Sequence, residues 1–345
     1  MGDRFAAVGE RLMAFDWTGR RALVTGATGI VGSWLCEELV SRGAFVVALV
    51  LDDDPQSRFY SDGIAADCTI VRGDLADFAS CMRAINVHDV EFVFHLGAQT
   101  IVGSALRDPL ECFESNIRGT YNLLEAARRL DGLVKAFVVA SSDKAYGESD
   151  VLPYTEDMPL RGSHPYDVSK SCTDLLAHTY AHTYGLPVTV ARCGNIYGGG
   201  DLNWSRIVPG AIRCIEDGTS LTLRSDGKMV RDYIYVRDVV SAYIALAEAS
   251  DRPEVVGEAF NFSPESEYTV LDIVAAIESA AGAKLDLVIR NTATMEIRNQ
   301  TLDASKAKRM LSWKCEWSLE DGLRETLGWY KHHLTRKSRR DAHVR

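Results

Sequence analysis

Three observations make this chain a doubly wound α/β protein with a smaller C-terminal lobe. Short β-branched or apolar runs at residues 21–25, 45–51, 69–72, 92–96, 136–141 and 187–192 alternate with helix-like or turn-rich stretches, the rhythm of a parallel sheet covered by crossover helices. The first run ends in Gly26, Gly29 and Gly32 and opens into a helical stretch through Trp34, Leu35 and Leu39. Beyond Gly194 the rhythm changes to longer loops rich in Gly, Pro, Asn and Asp, with shorter strands and helices up to Trp329. These boundaries predict a dinucleotide-binding domain over 1–193, a mainly substrate-binding lobe over 194–330 and a basic tail over 331–345. No linker or internal repeat separates the lobes, so they are expected to pack as one unit around a cleft.

Composition limits the partners. The 345 residues are 46% hydrophobic and 25% charged with a formal net charge of -10, which excludes disordered and collagen-like classes and makes nucleic acid an unexpected partner. Apolar runs such as 44–51 and 134–140 fall far short of the roughly 20 residues of a bilayer span, so no membrane helix is expected. Residues 1–19 carry mixed charge and no uninterrupted apolar stretch, so no secretory signal and a cytoplasmic location are expected. Eight scattered cysteines without a CxxC pair predict reduced, mostly buried thiols and no metal site. The basic stretch 331–345 is expected to be a solvated, frayed tail.

Each element of the first domain then suggests a ligand contact. Glycines at a strand-to-helix turn let the backbone approach a pyrophosphate closely and aim a helix N-terminus at it, which singles out Gly26, Thr28, Gly29, Ile30, Val31 and Gly32 in a Rossmann-type fold. The spacing is GxxGxxG rather than GxGxxG. Asp52, at the end of the second run, stands where an acidic residue would accept hydrogen bonds from an adenosine ribose and exclude a 2′-phosphate, which favours NAD over NADP. The neighbouring Asp53 and Asp54 leave the exact residue open. Asp74 and Leu75, after the third run, suit the adenine, with a plain strand-end turn as the alternative.

Two constellations bear on chemistry. Tyr166 and Lys170 are one helical turn apart on one face, and an ammonium beside a phenol stabilises its anion and makes it a usable base. Ser142, at the carboxyl end of the fifth run, offers a hydroxyl to a substrate hydroxyl. Asp143 and Lys144 follow it directly. A simple hydride shuttle needs neither, and the alternative is a surface turn with an incidental ion pair.

Together these elements resemble the extended short-chain dehydrogenase/reductase family, specifically its nucleotide-sugar epimerases and 4,6-dehydratases. Similarity extends to HLGAQ (95–99), Asn116 within SNIRGT (115–120), RCGNIYGGGD (192–201), RDYIYV (231–236), FNFS (260–263), and 302–313 followed by Trp317. Ser142-Asp143-Lys144 and the GGGD segment resemble most closely the branch that dehydrates CDP-glucose. Arg231-Asp232-Tyr233 replaces that branch's usual arginine, proline and tryptophan, and 296–302 lacks its histidine and glutamate. The resemblance implies a bound, recycled NAD touched also by Leu96, Ala98, Gln99, Asn116, Tyr166 and Lys170. It implies a nucleotide-sugar substrate met by Gln99, Ser142 and Asn195, and a homodimer formed through the Tyr166 helix and the helix around 116–129. Arg206 and Arg231 suit the diphosphate because arginine makes charge-assisted, often bidentate phosphate contacts; Arg298 is a further candidate, with a surface salt bridge as the alternative.

The mechanism these residues would support is a 4,6-dehydration. Tyr166 takes the C4 hydroxyl proton, Ser142 orients that hydroxyl, Lys144 removes the C5 proton and a protonated Asp143 donates to the departing C6 hydroxyl. Lys144 as a base requires its pKa to be lowered by burial and by Lys170. If the Asp143–Lys144 pair instead forms an ion pair turned away from the substrate, the expected activity is 4-epimerisation. A net oxidoreductase and a non-catalytic dinucleotide sensor are the remaining alternatives.

Overall fold

The computed structural model describes residues 15–292 and 297–343, with side chains as far as 336. Strands β1 (Arg21–Thr25), β2 (Phe45–Val50), β3 (Thr69–Arg72), β4 (Phe92–His95), β5 (Ala136–Ala140) and β6 (Val188–Cys193) follow in sequence. Short strands β7 (Asn195–Tyr197), β8 (Leu221–Leu223), β9 (Val230–Arg231) and β10 (Tyr233–Tyr235) precede β11 (Ala259–Phe262), β12 (Tyr268–Thr269) and β13 (Leu287–Ile289). The main sheet has seven strands in the order β11-β6-β5-β4-β1-β2-β3, all pairs parallel. The chain leaves β1 in one direction and returns on its other side as β4. The crevice between the carboxyl ends of β1 and β4 is therefore the topological switch point, where ligands of such sheets bind.

Helices cover both faces, so the strands are near-continuous apolar runs rather than alternating ones. Alternate residues still serve opposite layers. Ala22, Val24 and Phe94 pack with Leu35 and Leu39 and with Val239 and Tyr243 on one face. Leu23, Val93 and Phe137 pack with Ala84, Leu123, Ala126 and Ala177 on the other. Each such buried large side chain contributes about 1.5–3 kcal/mol of transfer free energy, so both layers anchor the strand ends that carry the site.

Two sequence expectations change. The helix Val236–Glu248 packs on Ile30–Ser41, and β11 completes the main sheet beside β6, so part of 194–330 belongs to the first domain's layers. The reason is physical: β6 needs a partner on its outer edge, and only a later segment supplies one. Residues 331–343 are no frayed tail either, because the helix Leu319–His343 runs through them. That helix docks by Trp329 Nε1 donating to Asp62 (2.8 Å) and Arg336 donating to the Ser61 carbonyl (3.0 Å). Residues 1–14, most of the stretch read for a signal, lie outside the described residues. All eight cysteines are free; Cys36, Cys81, Cys112 and Cys193 are buried and the other four partly so. No helix among the described residues is long and apolar enough to cross a membrane.

Candidate active site

The floor of the crevice is built from backbone. Gly26 has φ +70°, and a Cβ there would stand 2.9 Å from Gly97 Cα, so the β1 and β4 loops touch main chain to main chain. A Cβ on Gly32 would stand 2.1 Å from the Gly26 carbonyl oxygen, which makes glycine obligatory at this packing distance. Thr25 ties the two loops, its Oγ1 accepting from the amides of Leu96 (3.1 Å) and Gly97 (2.9 Å). The helix Ile30–Ser41 begins at Gly29 with no side-chain cap, so its first N–H groups face the crevice without an internal partner from a cap. A glycine cradle that a Cβ would fill, below an uncapped helix N-terminus, fits the pyrophosphate of a dinucleotide. Thr28, Ile30 and Val31 belong to this same turn.

At the adenosine end the aspartate run separates by geometry. Asp53 accepts from Tyr60 and from Arg72 (2.9 Å), and these bonds hold its carboxyl below the usual range. Asp54 accepts from the Gln56 amide (2.9 Å) in a turn. Asp52 is exposed, and no other side chain or amide among the described residues engages its carboxylate. Asp74 is exposed and its carboxylate accepts from the Ala76 amide (2.8 Å), while Leu75 packs its side chain against Gly97 and Gly119 and its carbonyl accepts from Asn122 (2.8 Å). Leu75 thus forms a wall of the crevice.

Asn116 has a supporting position. It is buried in a π turn, Glu114–Arg118, and its amide braces the β4 loop: Oδ1 accepts from Gln99 N (2.7 Å), and Nδ2 donates to Gln99 O (3.0 Å) and Ser169 Oγ (2.9 Å). The Asn116 backbone carbonyl, in this π turn, accepts from Thr120 Oγ1 (2.5 Å) and Thr173 Oγ1 (3.2 Å), which ties the turn to the Tyr166 helix. Gln99 uses its own side chain to accept from Ile101 N (2.6 Å). Leu96 and Ala98 lie half-buried beside it.

Ser142, Asp143, Lys144 and Tyr166 converge. Ser142 caps the 3₁₀ turn Asp143–Tyr146, accepting from Lys144 N (3.2 Å), and its hydroxyl donates to Asp143 Oδ1 (2.9 Å). Its hydroxyl also acts on the Tyr166 phenol, lowering it, while the Asp143 carboxylate raises it, so the three groups share one site. Lys144 Nζ lies 3.7 Å from Asp143 Oδ2. The turn is fixed from below: Tyr146 OH accepts from Arg192 (2.8 Å) and donates to Asn261 (2.7 Å), while Arg192 forks onto Asp174 with two 2.8 Å bonds. Ser171 Oγ donates to the Ala145 carbonyl (2.9 Å), locking the turn to the helix Pro165–Tyr184.

The electrostatics differ from the spacing argument. Burial pushes the Tyr166 phenol up; Arg206 and the Ser142 hydroxyl oppose this, and Asp143 and Asp167 add to it. Lys170 shares the helix face, with Nζ 5.9 Å from the Tyr166 ring centre, but it donates to the Ala140 carbonyl (2.7 Å), and burial lowers its pKa to about 8. The cation lowering the phenol comes from the other lobe. Lys144 likewise has Asp143 and the field of Asp167 near it, where Lys170 was expected.

Across the cleft, Arg206 pairs with Asp201 (3.0 Å) and donates to Thr100 Oγ1 (3.3 Å), bridging the lobes. Asn195 is half-buried on β7, its backbone fixed by the Asp232 carbonyl (2.8 Å). Arg231, expected to reach a diphosphate, is buried and donates to the carbonyls of Val230 (2.8 Å), Arg298 (2.9 Å) and Ile297. It clamps the segment 297–303. Arg298 is exposed and its side chain engages nothing among the described residues. The residue that sequence reasoning missed is Gln300, buried, whose Oε1 accepts from Lys144 Nζ; no local signal in 297–303 points to it.

Comparison with known proteins fits this geometry. The family model described as NAD dependent epimerase/dehydratase family matches residues 22–262. CDP-glucose 4,6-dehydratase of Salmonella typhimurium is 31% identical over 330 residues, covering 91% of each chain. The UDP-glucose 4-epimerase of Thermotoga maritima, solved with UDP-glucose, superposes with TM-score 0.82 at 29% identity, covering 91% of this chain and 99% of that one. A dTDP-glucose 4,6-dehydratase of Bacillus anthracis, solved with NAD, gives 0.80 at 26% identity over 91% and 97%. With its glycine cradle at the switch point and the Tyr166–Lys170 helix beside it, this chain belongs to the NAD dependent epimerase/dehydratase family of nucleotide-sugar enzymes and uses NAD.

Proposed function

We propose that the chain is a nucleotide-sugar 4,6-dehydratase producing a 4-keto-6-deoxyhexose, with a CDP-glucose-like substrate. The observation that carries this reading is the bond from Ser142 to Asp143 Oδ1. It keeps the Asp143 carboxylate, with Lys144 Nζ 3.7 Å from it, within the field of the Tyr166 phenol, and a C4 hydride shuttle alone has no use for such a pair. The choice of nucleotide rests on the Ser142-Asp143-Lys144 run and the GGGD segment.

NAD, when bound, would supply a reversible hydride acceptor. Gly26, Gly29 and Gly32 with the first turn through Thr28, Ile30 and Val31 would hold its pyrophosphate, Asp52 its ribose, and Asp74 and Leu75 its adenine; Leu96, Ala98 and Gln99, braced by Asn116, would line the nicotinamide side. Tyr166 accepts the C4 hydroxyl proton while Ser142 orients that hydroxyl. The phenol, raised by burial, needs positive charge nearby to ionise; Arg206 lowers it, and Lys170 Nζ lies 5.9 Å from the ring centre. Lys144 removes the C5 proton, acidified by the 4-ketone, and Asp143 protonates the departing C6 oxygen. Asn195 and Arg206 face the diphosphate. Arg231 positions the wall behind them, and Arg298 at the rim reaches the nucleotide.

The reading includes a homodimer, because Leu175 on the Tyr166 helix and Tyr121 on Gly119–Arg129 are exposed, together with Leu106 and Leu110 just before them. It also includes a cytoplasmic location, which eight free thiols suit. The test is incubation with CDP-glucose, UDP-glucose, UDP-N-acetylglucosamine, GDP-mannose and dTDP-glucose in deuterium oxide, read by mass spectrometry and NMR. Loss of water with deuterium at C5 supports the dehydratase and names its nucleotide. Unchanged mass with inversion at C4 replaces it with an epimerase.

A further inference from the structure

Gln300 belongs neither to the crevice floor nor to the groups given a proton to move, yet it is 0% exposed and meets the Lys144 ammonium. A lysine ammonium only donates, so the amide oxygen is the end that faces it. The segment bearing Gln300 is strung between two anchors. Gln300 N donates to the Val230 carbonyl (3.1 Å), Tyr154 N donates to Thr301 O (2.8 Å), and Asp303 N donates to Tyr154 O (2.9 Å). Arg231 clamps the same segment through Ile297 and Arg298. The Gln300 amide nitrogen is buried and has no hydrogen-bond partner among the described residues, so the side chain engages through its oxygen. A backbone fixed on both sides thus holds one neutral acceptor against Lys144.

Among the described residues, the charged groups that face Lys144 are Asp143 and Asp167. Asp143 faces Lys144 from its own turn at 3.7 Å. Asp167 faces it from the Tyr166 helix and is itself flanked by His164. From the segment side come Gln300 and Tyr154, the latter near Asp143, Arg231 and Glu148. An acceptor without charge fixes the direction of Lys144 while adding no further negative charge to hold its proton.

We propose that Gln300 is a positioning residue that holds Lys144 Nζ between its amide oxygen and Asp143, so that one proton passes from Lys144 to Asp143 and leaves an amine base beside a carboxylic acid. The inference rests on the dehydratase reading. In that exchange an N–H bond of Lys144 breaks and an O–H bond of Asp143 forms. Lys144 then takes the C5 proton, the C5–H electron pair expels the C6 oxygen, and the Asp143 proton leaves with it as water. Lys144 ends as an ammonium and Asp143 as a carboxylate, which is the ion pair observed, so each turnover starts and ends in one protonation state with atoms balanced.

Two variants of the full-length protein test this. Gln300→Met keeps the volume and removes the acceptor; Gln300→Glu keeps the acceptor and adds a charge. Both are expected to slow water loss about ten- to hundredfold, while C4 oxidation, followed by nicotinamide absorbance in a single turnover, stays within about threefold of native. The alkaline limb of the pH–kcat profile is expected to move up in Gln300→Glu and down in Gln300→Met, opposite shifts that a merely structural role would not produce. Native water loss with unmoved limbs in both variants would overturn the inference and leave the dehydratase reading standing. Equal loss of C4 oxidation and dehydration in both would also overturn it, as damage to the whole site. If the native protein removes no water from any of the five nucleotide sugars, the dehydratase reading fails and the inference goes with it.

Discussion

The two walls of the cleft are made differently. The cofactor side is a backbone surface: Gly26, Gly32 and Gly97 bring main chain against main chain, and side chains enter chiefly by their absence. The reacting side is made of side chains drawn from distant segments, with Ser142 and Asp143 from the β5 end, Tyr166 from its helix, Arg206 from the second lobe and Gln300 from a late strap. A backbone surface is broken only by adding atoms. A side-chain surface is broken by removing them, and its parts couple because each leans on another element.

That contrast orders the expected effects. Tyr166→Phe removes one oxygen from the reacting wall and leaves the floor untouched, so kcat should fall about 10²–10⁴-fold with NAD content and circular dichroism unchanged. Loss of NAD from this variant would blur the contrast. Gly32→Ala adds one methyl group 2.1 Å from the Gly26 carbonyl, and should weaken NAD retention about ten- to hundredfold, measured as cofactor released on purification and titrated back. Native affinity there would mean that the floor yields. Arg206→Met removes a charge from the far wall and should raise KM about tenfold, with a smaller fall in kcat because Arg206 also lowers the Tyr166 phenol. A change in kcat alone would move Arg206 from binding to chemistry.

The smallest effect is on stability, and the two sides carry opposite signs. Burial raises Asp232, at the substrate side, from 3.8 to about 7, so between those values the folded chain holds a proton that the unfolded chain has lost. Its contribution to stability therefore declines as pH rises from about 4 to 7. Burial lowers Lys170, under the cofactor side, from 10.5 to about 8, so between those values the unfolded chain holds the extra proton and stability rises with pH. Urea denaturation across pH should show the two slopes around a trough near pH 7–8, the acid-side slope shrinking in Asp232→Asn and the alkaline one in Lys170→Met. Unchanged slopes in either variant would assign the trend to other groups.

The same contrast explains what was legible beforehand. Strands β1 to β6 were readable within a residue or so because two-sided burial writes an apolar run into contiguous sequence. Strand β11 was not, since four apolar and polar residues, Ala259–Phe262, carry no sign of which sheet edge they will join. The floor was legible for the reason it is simple: a close backbone approach demands glycine at fixed spacing. Tyr166 and Lys170 were legible as one helical turn, yet their spacing left open where the lysine's hydrogen bond goes, and it goes to Ala140. Arg231 looked like a phosphate ligand by residue type and is a clamp by position.

By itself, then, the sequence determined the parallel sheet, the glycine cradle, the Tyr166–Lys170 helix face and the placement of Ser142, Asp143 and Lys144 at a strand end, because each depends on residues within a few positions of one another. Only the tertiary structure decided that Arg206 is the cation lowering the phenol, that Arg231 braces a strap, that Asp52 is the aspartate left over in its run, and that Gln300 meets Lys144 across 156 positions of chain. Those pairings are set by how two lobes close on each other, and no local periodicity or propensity encodes a contact between segments that far apart.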